Sequence, residues 1–391
     1  MSWKVSCVME ERMRFVVECR SGNWSMAEVC RRCGISRKTG YKWLERYGEG
    51  DVEGLKDRAR APWSHPNAVD AATEHEILAF KRAHILWGPG KLLAKLQERE
   101  PQRTWPAAST IGDMLKRHGL VVRRRKRNHA TSSSQPLAHC AGANDVWCAD
   151  FKGWFRTGDG KRCDPLTITD ASSRFILCCQ AMSGKTGFFE VKPLFEATFR
   201  AVGLPRALRT DNGPPFASTG LGGLSRLSVW WIRLGITPER IQPGKPQENG
   251  RHERMHRTLK QATANPPQPN HRAQQRTFDH FVEEFNYERP HEALGQQPPA
   301  SHYQPSPRIF PSRLPELPSY PDPWETRNVR GAGQMKWRGH DVCISQALVG
   351  QCIGLKPIDD GLWEIYFAHL PLAIFDERRL RVKRRDTGRR K

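Results

Sequence analysis

Three carboxylates stand in local sequences that could bring them to one metal site. Asp150 lies in Val146-Trp147-Cys148-Ala149-Asp150-Phe151, an apolar run that reads as a buried strand, where an unpaired carboxylate is expensive. Asp211 closes Ala207-Leu208-Arg209-Thr210-Asp211-Asn212-Gly213, a strand that ends in an Asn-Gly turn. Glu253 lies in Pro246-Gln247-Glu248-Asn249-Gly250-Arg251-His252-Glu253-Arg254, which opens a helix. Taken singly, Asp-Asn-Gly is a common turn and Asp150 fits a salt-bridged structural acid. Together the three suggest a site for two Mg2+ ions, with Mn2+ as a substitute, serving an in-line displacement at a phosphodiester.

The helix acid is chosen by geometry. At roughly 100° per residue, side chains five apart point about 140° away from each other, so Glu248 and Glu253 cannot share a face. Met255, Leu259 and Ala262 recur at helical spacing and predict the buried stripe. Glu253, His256, Arg257 and Lys260 then share the exposed side, and Glu248 falls on the buried side or outside the helix. Arg257 and Lys260 are expected to grip DNA phosphate beside the acid; the plainer alternative is a solvated face with an i,i+4 ion pair.

The elements that carry these residues belong to a 391-residue chain of formal charge +22. Such an excess costs self-repulsion and points to a polyanionic partner, nucleic acid first. No apolar run reaches the roughly 18 residues needed to span a bilayer, and the N-terminus lacks an apolar signal core. The expectation is no membrane association and a cytoplasmic, nucleoid-associated protein. Eleven scattered cysteines fit a reducing compartment. Cys30-Arg-Arg-Cys33 lacks a second ligand pair at zinc spacing.

Residues 1–60 predict a helix-turn-helix DNA-binding domain. Within Ser25-Met26-Ala27-Glu28 a capping box starts the second helix, Gly34 stops it, and Ser36 caps a third helix carrying Arg37, Lys38, Lys42 and Arg46 as DNA contacts. Residues 70–127 predict a second helical DNA-binding domain that ends in Arg123, Arg124, Arg125, Lys126 and Arg127, a run able to hold phosphates. A polar linker spans 128–144. In 145–300, strand-like segments 146–155, 163–170 and 174–183 lead to a helix near 188–202, a strand at 206–210 and helices near 223–234, 249–264 and 277–287. That order predicts a mixed sheet covered by helices. A Pro-rich linker spans 301–325, and short alternating runs in 326–391 predict a small β-barrel with a basic tail.

With these motifs in place, the chain resembles bacterial insertion-sequence transposases and retroviral integrases, which share an integrase catalytic core. The resemblance rests on the segments around the three acids, on Thr169-Asp170-Ala171-Ser172-Ser173-Arg174-Phe175, and on Phe285-Asn286-Tyr287-Glu288-Arg289-Pro290-His291-Glu292-Ala293-Leu294. It implies an α/β ribonuclease-H-like fold with a mixed five-stranded sheet, and a DDE triad at Asp150, Asp211 and Glu253. It also implies hydrolysis at the element's terminal inverted repeats and attack of the freed 3′-hydroxyl on double-stranded target DNA, carried out by a homo-multimer. Asp170 matches a recurrent family acid outside the triad. Between Asp211 and Glu253 lie 253 − 211 − 1 = 41 residues, about six more than the family spacing, and Gly220-Leu221-Gly222-Gly223 looks like the insertion, in a loop that can absorb it. Two other readings share these features: an inactive or regulatory DNA-binding relative, and a metal-dependent nuclease that cuts without joining.

Overall fold

The computed structural model describes residues 7–58, 68–121, 137, 139–242, 249–317 and 319–384. The chain divides into two units, Met1–Asp70 and Ala71–Lys391. In the first, α1 (Val8–Arg20), α2 (Met26–Arg32) and α3 (Arg37–Gly54) close over Phe15, Val16, Val29, Cys30, Trp43 and Leu55. Ser25 Oγ accepts from Glu28 N at 3.3 Å. The expected capping box is only half made, because the Glu28 carboxylate pairs with Arg31 instead of reaching back. Gly34 turns the chain at φ +65°, and Ser36 Oγ accepts from Thr39 N at 3.1 Å.

Gly40 is a packing glycine. A Cβ there would lie 2.6 Å from Cys30 Sγ and 2.9 Å from Phe15 Cζ, so α3 reaches α1 and α2 only without a side chain at this point. Gly40→Val is expected to destabilise this unit by about 3 kcal/mol through overpacking. Calorimetry checks this: the transition of the helical unit should fall in temperature while that of residues 71–391 holds.

The second unit starts with α4 (Ala71–Ala83), α5 (Pro89–Arg99) and α6 (Ala108–Arg117), packed through Ile77, Leu92, Leu96, Ile111 and Met114. The sheet that follows contains β1 (Val146–Phe151), β2 (Phe155–Arg156), β3 (Arg162–Asp170), β4 (Ile176–Met182), β5 (Ala207–Thr210) and β6 (Thr237–Arg240). Five strands run in the order β4-β3-β1-β5-β6, antiparallel up to β1 and parallel beyond it, and the two-residue β2 adds a sixth against β3. The helices α7 (Phe188–Val202), α8 (Arg226–Arg233), α9 (Gly250–Thr263) and α10 (His271–Glu283) cover it. Leu166, Ile168 and Trp147 pack with Phe195, Phe199 and Trp231 of α7 and α8. Cys163, Ile176 and Cys179 pack instead with Met255, Leu259 and Phe278 of α9 and α10. Strand β6 was not foreseen, since Thr-Pro-Glu-Arg shows no apolar alternation. The last helix starts at His271 rather than near 277, where Asn270 Oδ1 accepts from Ala273 N at 3.0 Å.

In the C-terminal region the strands are β7 (Glu325–Asn328), β8 (Gln334–Trp337), β9 (His340–Cys343), β10 (Cys352–Asp359), β11 (Leu362–Phe367), β12 (Leu370–Asp376) and β13 (Arg381–Arg384). The expected barrel is not closed. An antiparallel sheet runs β13-β12-β11-β10-β7, and β8–β9 is a separate hairpin. The sheet need not curl onto itself, because Leu221, Leu224, Val229 and Ile232 of the preceding region fill its apolar face together with Met335 and Trp337 of the hairpin. The segment Gly220–Gly223, read from the sequence as an insertion in a loop, is therefore a seat rather than slack loop. Gly222 and Gly223 take φ of +61° and +67°, and a Cβ on the first would lie 2.7 Å from Leu372 Cδ2.

Candidate active site

Strand pairing brings two of the acids to one face. Asp150 pairs with Thr167 across the antiparallel β1–β3 ladder, so both side chains point to the same side of the sheet. Cys148 pairs with Arg209 across the parallel β1–β5 ladder, and two residues further on in each chain come Asp150 and Asp211, level with one another. Asp211 leaves β5 in a tight turn, its Oδ1 accepting from Gly213 N at 3.1 Å. Helix α9 crosses this face and carries Glu253 on its exposed side, as it carries Arg257 and Lys260. Glu248 and Arg123, Arg124, Arg125, Lys126 and Arg127 lie outside the described residues.

Burial first, and then the charges of Asp211 and Glu253, push the Asp150 carboxyl up to about 7, against Lys152 and a backbone hydrogen bond that pull it down. The three acids thus share one electrostatic neighbourhood with Lys152, which itself feels Lys260. An all-oxygen donor set with surplus negative charge fits a hard divalent cation. Raising the folded-state value above 3.8 means that Asp150 favours folding fully only below about pH 4, and that this contribution is lost as pH rises to about 7. Asp150→Asn is therefore expected to melt like the native protein near pH 4 and to be more stable in metal-free buffer at pH 8, by about 1–3 kcal/mol. Thermal melts across that range measure the gap.

What holds α9 on the sheet was not foreseen. His252 and His256 are both buried, whereas His256 was expected on the exposed face and Ala262, here exposed, in the buried stripe. The reason for the histidines is the polar surface beneath the helix, where β3 presents Thr167 and Thr169; at the far end Thr263 is buried in place of Ala262, its carbonyl accepting from Gln274 Nε2 at 2.9 Å. Thr167 Oγ1 lies 2.8 Å from His252 Nε2, 2.6 Å from His256 Nε2 and 3.2 Å from Asp150 O, while Thr169 Oγ1 lies 2.8 Å from His252 Nδ1. If Thr167 donates to Asp150 O, both imidazoles donate Nε2–H to Thr167 and every bond is satisfied. His256 Nδ1 then turns its lone pair toward Asp150 Oδ2, 3.9 Å away. Donor atoms of Asp150, His252 and His256 fall within 4.8 Å of one another, but both nitrogens of His252 are already committed. Burial drives His252 down to about 3 and His256 lower still, so both are neutral. A His-x-x-x-His pair on one helix face was the available signal.

Asp170 has a different task. Almost fully buried, it accepts from Asn144 N at 2.8 Å, Ser173 N at 2.7 Å and Ser173 Oγ at 2.6 Å, which fixes the β3–β4 turn. In the first unit Arg37, Lys38 and Lys42 are exposed on α3, and Arg46 lies half-buried with its guanidinium 5.1 Å from the Trp43 ring centroid. Among the described residues no helix is long and apolar enough to cross a membrane.

Several parts of the chain match known families and proteins. Residues 141–246 and 234–299 match models of an integrase core domain. Residues 11–62 match a helix-turn-helix domain and 39–115 a homeodomain-like domain. Residues 324–383 match the C-terminal domain of IS481 family transposases. The chain is 28% identical over 280 residues to the insertion element IS407 uncharacterized 31.7 kDa protein of Burkholderia multivorans, covering 71% of this chain and 90% of that one. It is 29% identical over 234 residues to the insertion element IS476 uncharacterized 39.2 kDa protein of Xanthomonas euvesicatoria, covering 59% of this chain and 62% of that one. Among solved structures, the HTLV-2 integrase catalytic core domain in complex with magnesium aligns over 42% of this chain and 99% of that one, with 15% identity and a TM-score of 0.33.

Proposed function

We propose that this chain, a bacterial insertion-sequence transposase with an integrase-like core, cuts DNA at the ends of its element and joins the freed 3′-hydroxyl to target DNA. The observation that supports this best is the electrostatic coupling of Asp150 to Asp211 and Glu253, carried by two neighbouring parallel strands and one helix, in a chain of charge +22. Two Mg2+ ions held by these carboxylates would activate the attacking oxygen and stabilise the leaving one. The chain's own residues prepare that chemistry. The β1–β5 ladder ends two residues before Asp150 and Asp211 and would set their separation, with Glu253 presented by α9. Arg257 and Lys260, on the exposed side of α9, hold the phosphate backbone beside the acids, while α3 contacts the terminal repeats through Arg37, Lys38, Lys42 and Arg46. Pairing of two element ends calls for a homo-multimer on DNA, in the cytoplasm at the nucleoid.

The test is an oligonucleotide assay with labelled terminal-repeat ends, a target plasmid and Mg2+ or Mn2+. Joined products that vanish with a chelator support the reading. Cleavage without joined products would make the protein a nuclease, and repeat binding with neither would make it a regulator.

A further inference from the structure

The run from Phe285 to Leu294 takes no part in the acid site. Its first half is structural: Phe285 lies in the core, and Asn286 bonds both Ile176 N and Ile176 O, at 2.8 and 2.9 Å, closing the free edge of β4. The second half is not accounted for in this way. Arg289 is 9% exposed, yet among the described residues its guanidinium has neither a hydrogen bond nor an ion pair. Arg174, half-buried in the β3–β4 turn at φ +69°, is in the same state.

Their surroundings are cationic. Lys91 of α5 feels Arg289 and bonds Pro290 O. Arg174 feels Arg251 and Arg254 of α9. His291 feels Lys91, Arg289 and Arg174 together, and its Nε2 is buried without a partner. The acids nearby are Glu284, which receives the Trp87 indole N–H at 2.9 Å, and Glu292 beside Lys91. Burial and Arg289 push the Lys91 ammonium down to about 8. Leaving a buried cation unpaired costs several kcal/mol, and a bulky residue at positive φ adds strain. Such costs persist where a ligand relieves them.

We propose that Arg174 and Arg289, with Lys91, form a seat for a backbone phosphodiester of bound DNA, where the α4–α6 block meets the core and apart from the three acids. The inference rests on DNA being the substrate. A guanidinium is planar and matches two phosphate oxygens at once, and such a contact sets the register of the duplex without reading bases. Here it would tie the grip of the helical block to the position of the core.

The full-length protein tests this against a mixed-sequence DNA duplex, with binding measured across a salt series without divalent metal. Arg174→Gln and Arg289→Gln should each lower affinity about tenfold near 0.1 M salt and reduce the slope of log affinity against log salt by about one. Without DNA both variants should melt no lower than the native protein, since each removes an unpartnered buried charge. Native affinity and slope in the variants overturn the proposal, and so does a fall in melting temperature, which would assign the arginines to the fold. If the native protein itself shows no salt-dependent binding, the DNA reading fails and this inference with it.

Discussion

Asp150→Asn, Asp211→Asn and Glu253→Gln should each lower cleavage and joining by about three orders of magnitude or more, equivalent to at least about 4 kcal/mol of transition-state stabilisation. Binding to the terminal repeats should stay within about twofold of native, because α3, the helix proposed to contact them, is untouched. The size of the effect follows from the donor set. Each change replaces a carboxylate of the proposed metal site with a neutral amide of the same shape, so packing survives while attraction for a divalent cation falls. Glu248→Gln, made in parallel, should keep native rates, because side chains five residues apart on a helix point about 140° away from each other and Glu253 holds the face in question. Full activity in any of the three acid variants would remove that residue from the site, and loss in Glu248→Gln would move the third acid there. The outcomes separate chemistry from binding, since electrophoretic shifts read one and product gels the other.

The strand-borne acids were legible because each breaks a strong local pattern. A carboxylate near the end of an apolar strand, and another just before Asn-Gly, are exceptions that invite explanation. The long amphipathic helix α7 was legible from its 3.6-residue apolar period, as expected for a helix that covers a sheet. Strand β6 was hidden because its four residues are held by parallel pairing to β5 and by the Arg209–Glu239 ion pair at 2.8 Å, not by apolar alternation. The open C-terminal sheet was read as a barrel for a related reason: alternation identifies strands but says nothing of what fills their inner face, here supplied by residues about a hundred positions earlier in the chain. The face of α9 was misjudged at His256 because apolar periodicity assumes an apolar surface beneath. That surface is Thr167 and Thr169, and only β-sheet register shows that the two threonines share a side with Asp150.

That register makes His252 the second residue of large expected effect. It immediately precedes Glu253 and both its nitrogens are bonded to β3. Its task is to fix the rotation of α9, and so the direction of the Glu253 carboxylate. His252→Phe keeps the bulk and removes the bonds. Thr169 then loses its partner in a buried setting, which costs about 1–3 kcal/mol of stability. Displacement of the acid by about an ångström costs about a hundredfold in rate at saturating DNA, with little change in DNA affinity. Thr169→Val alone leaves His252 Nδ1 unpaired and should show a similar, smaller loss. In the double variant both partners are apolar, so much of the stability should return. The rate should not return with it, because the bond that orients α9 is still missing. Recovery of rate together with stability in the double variant would mean that His252 serves only the fold.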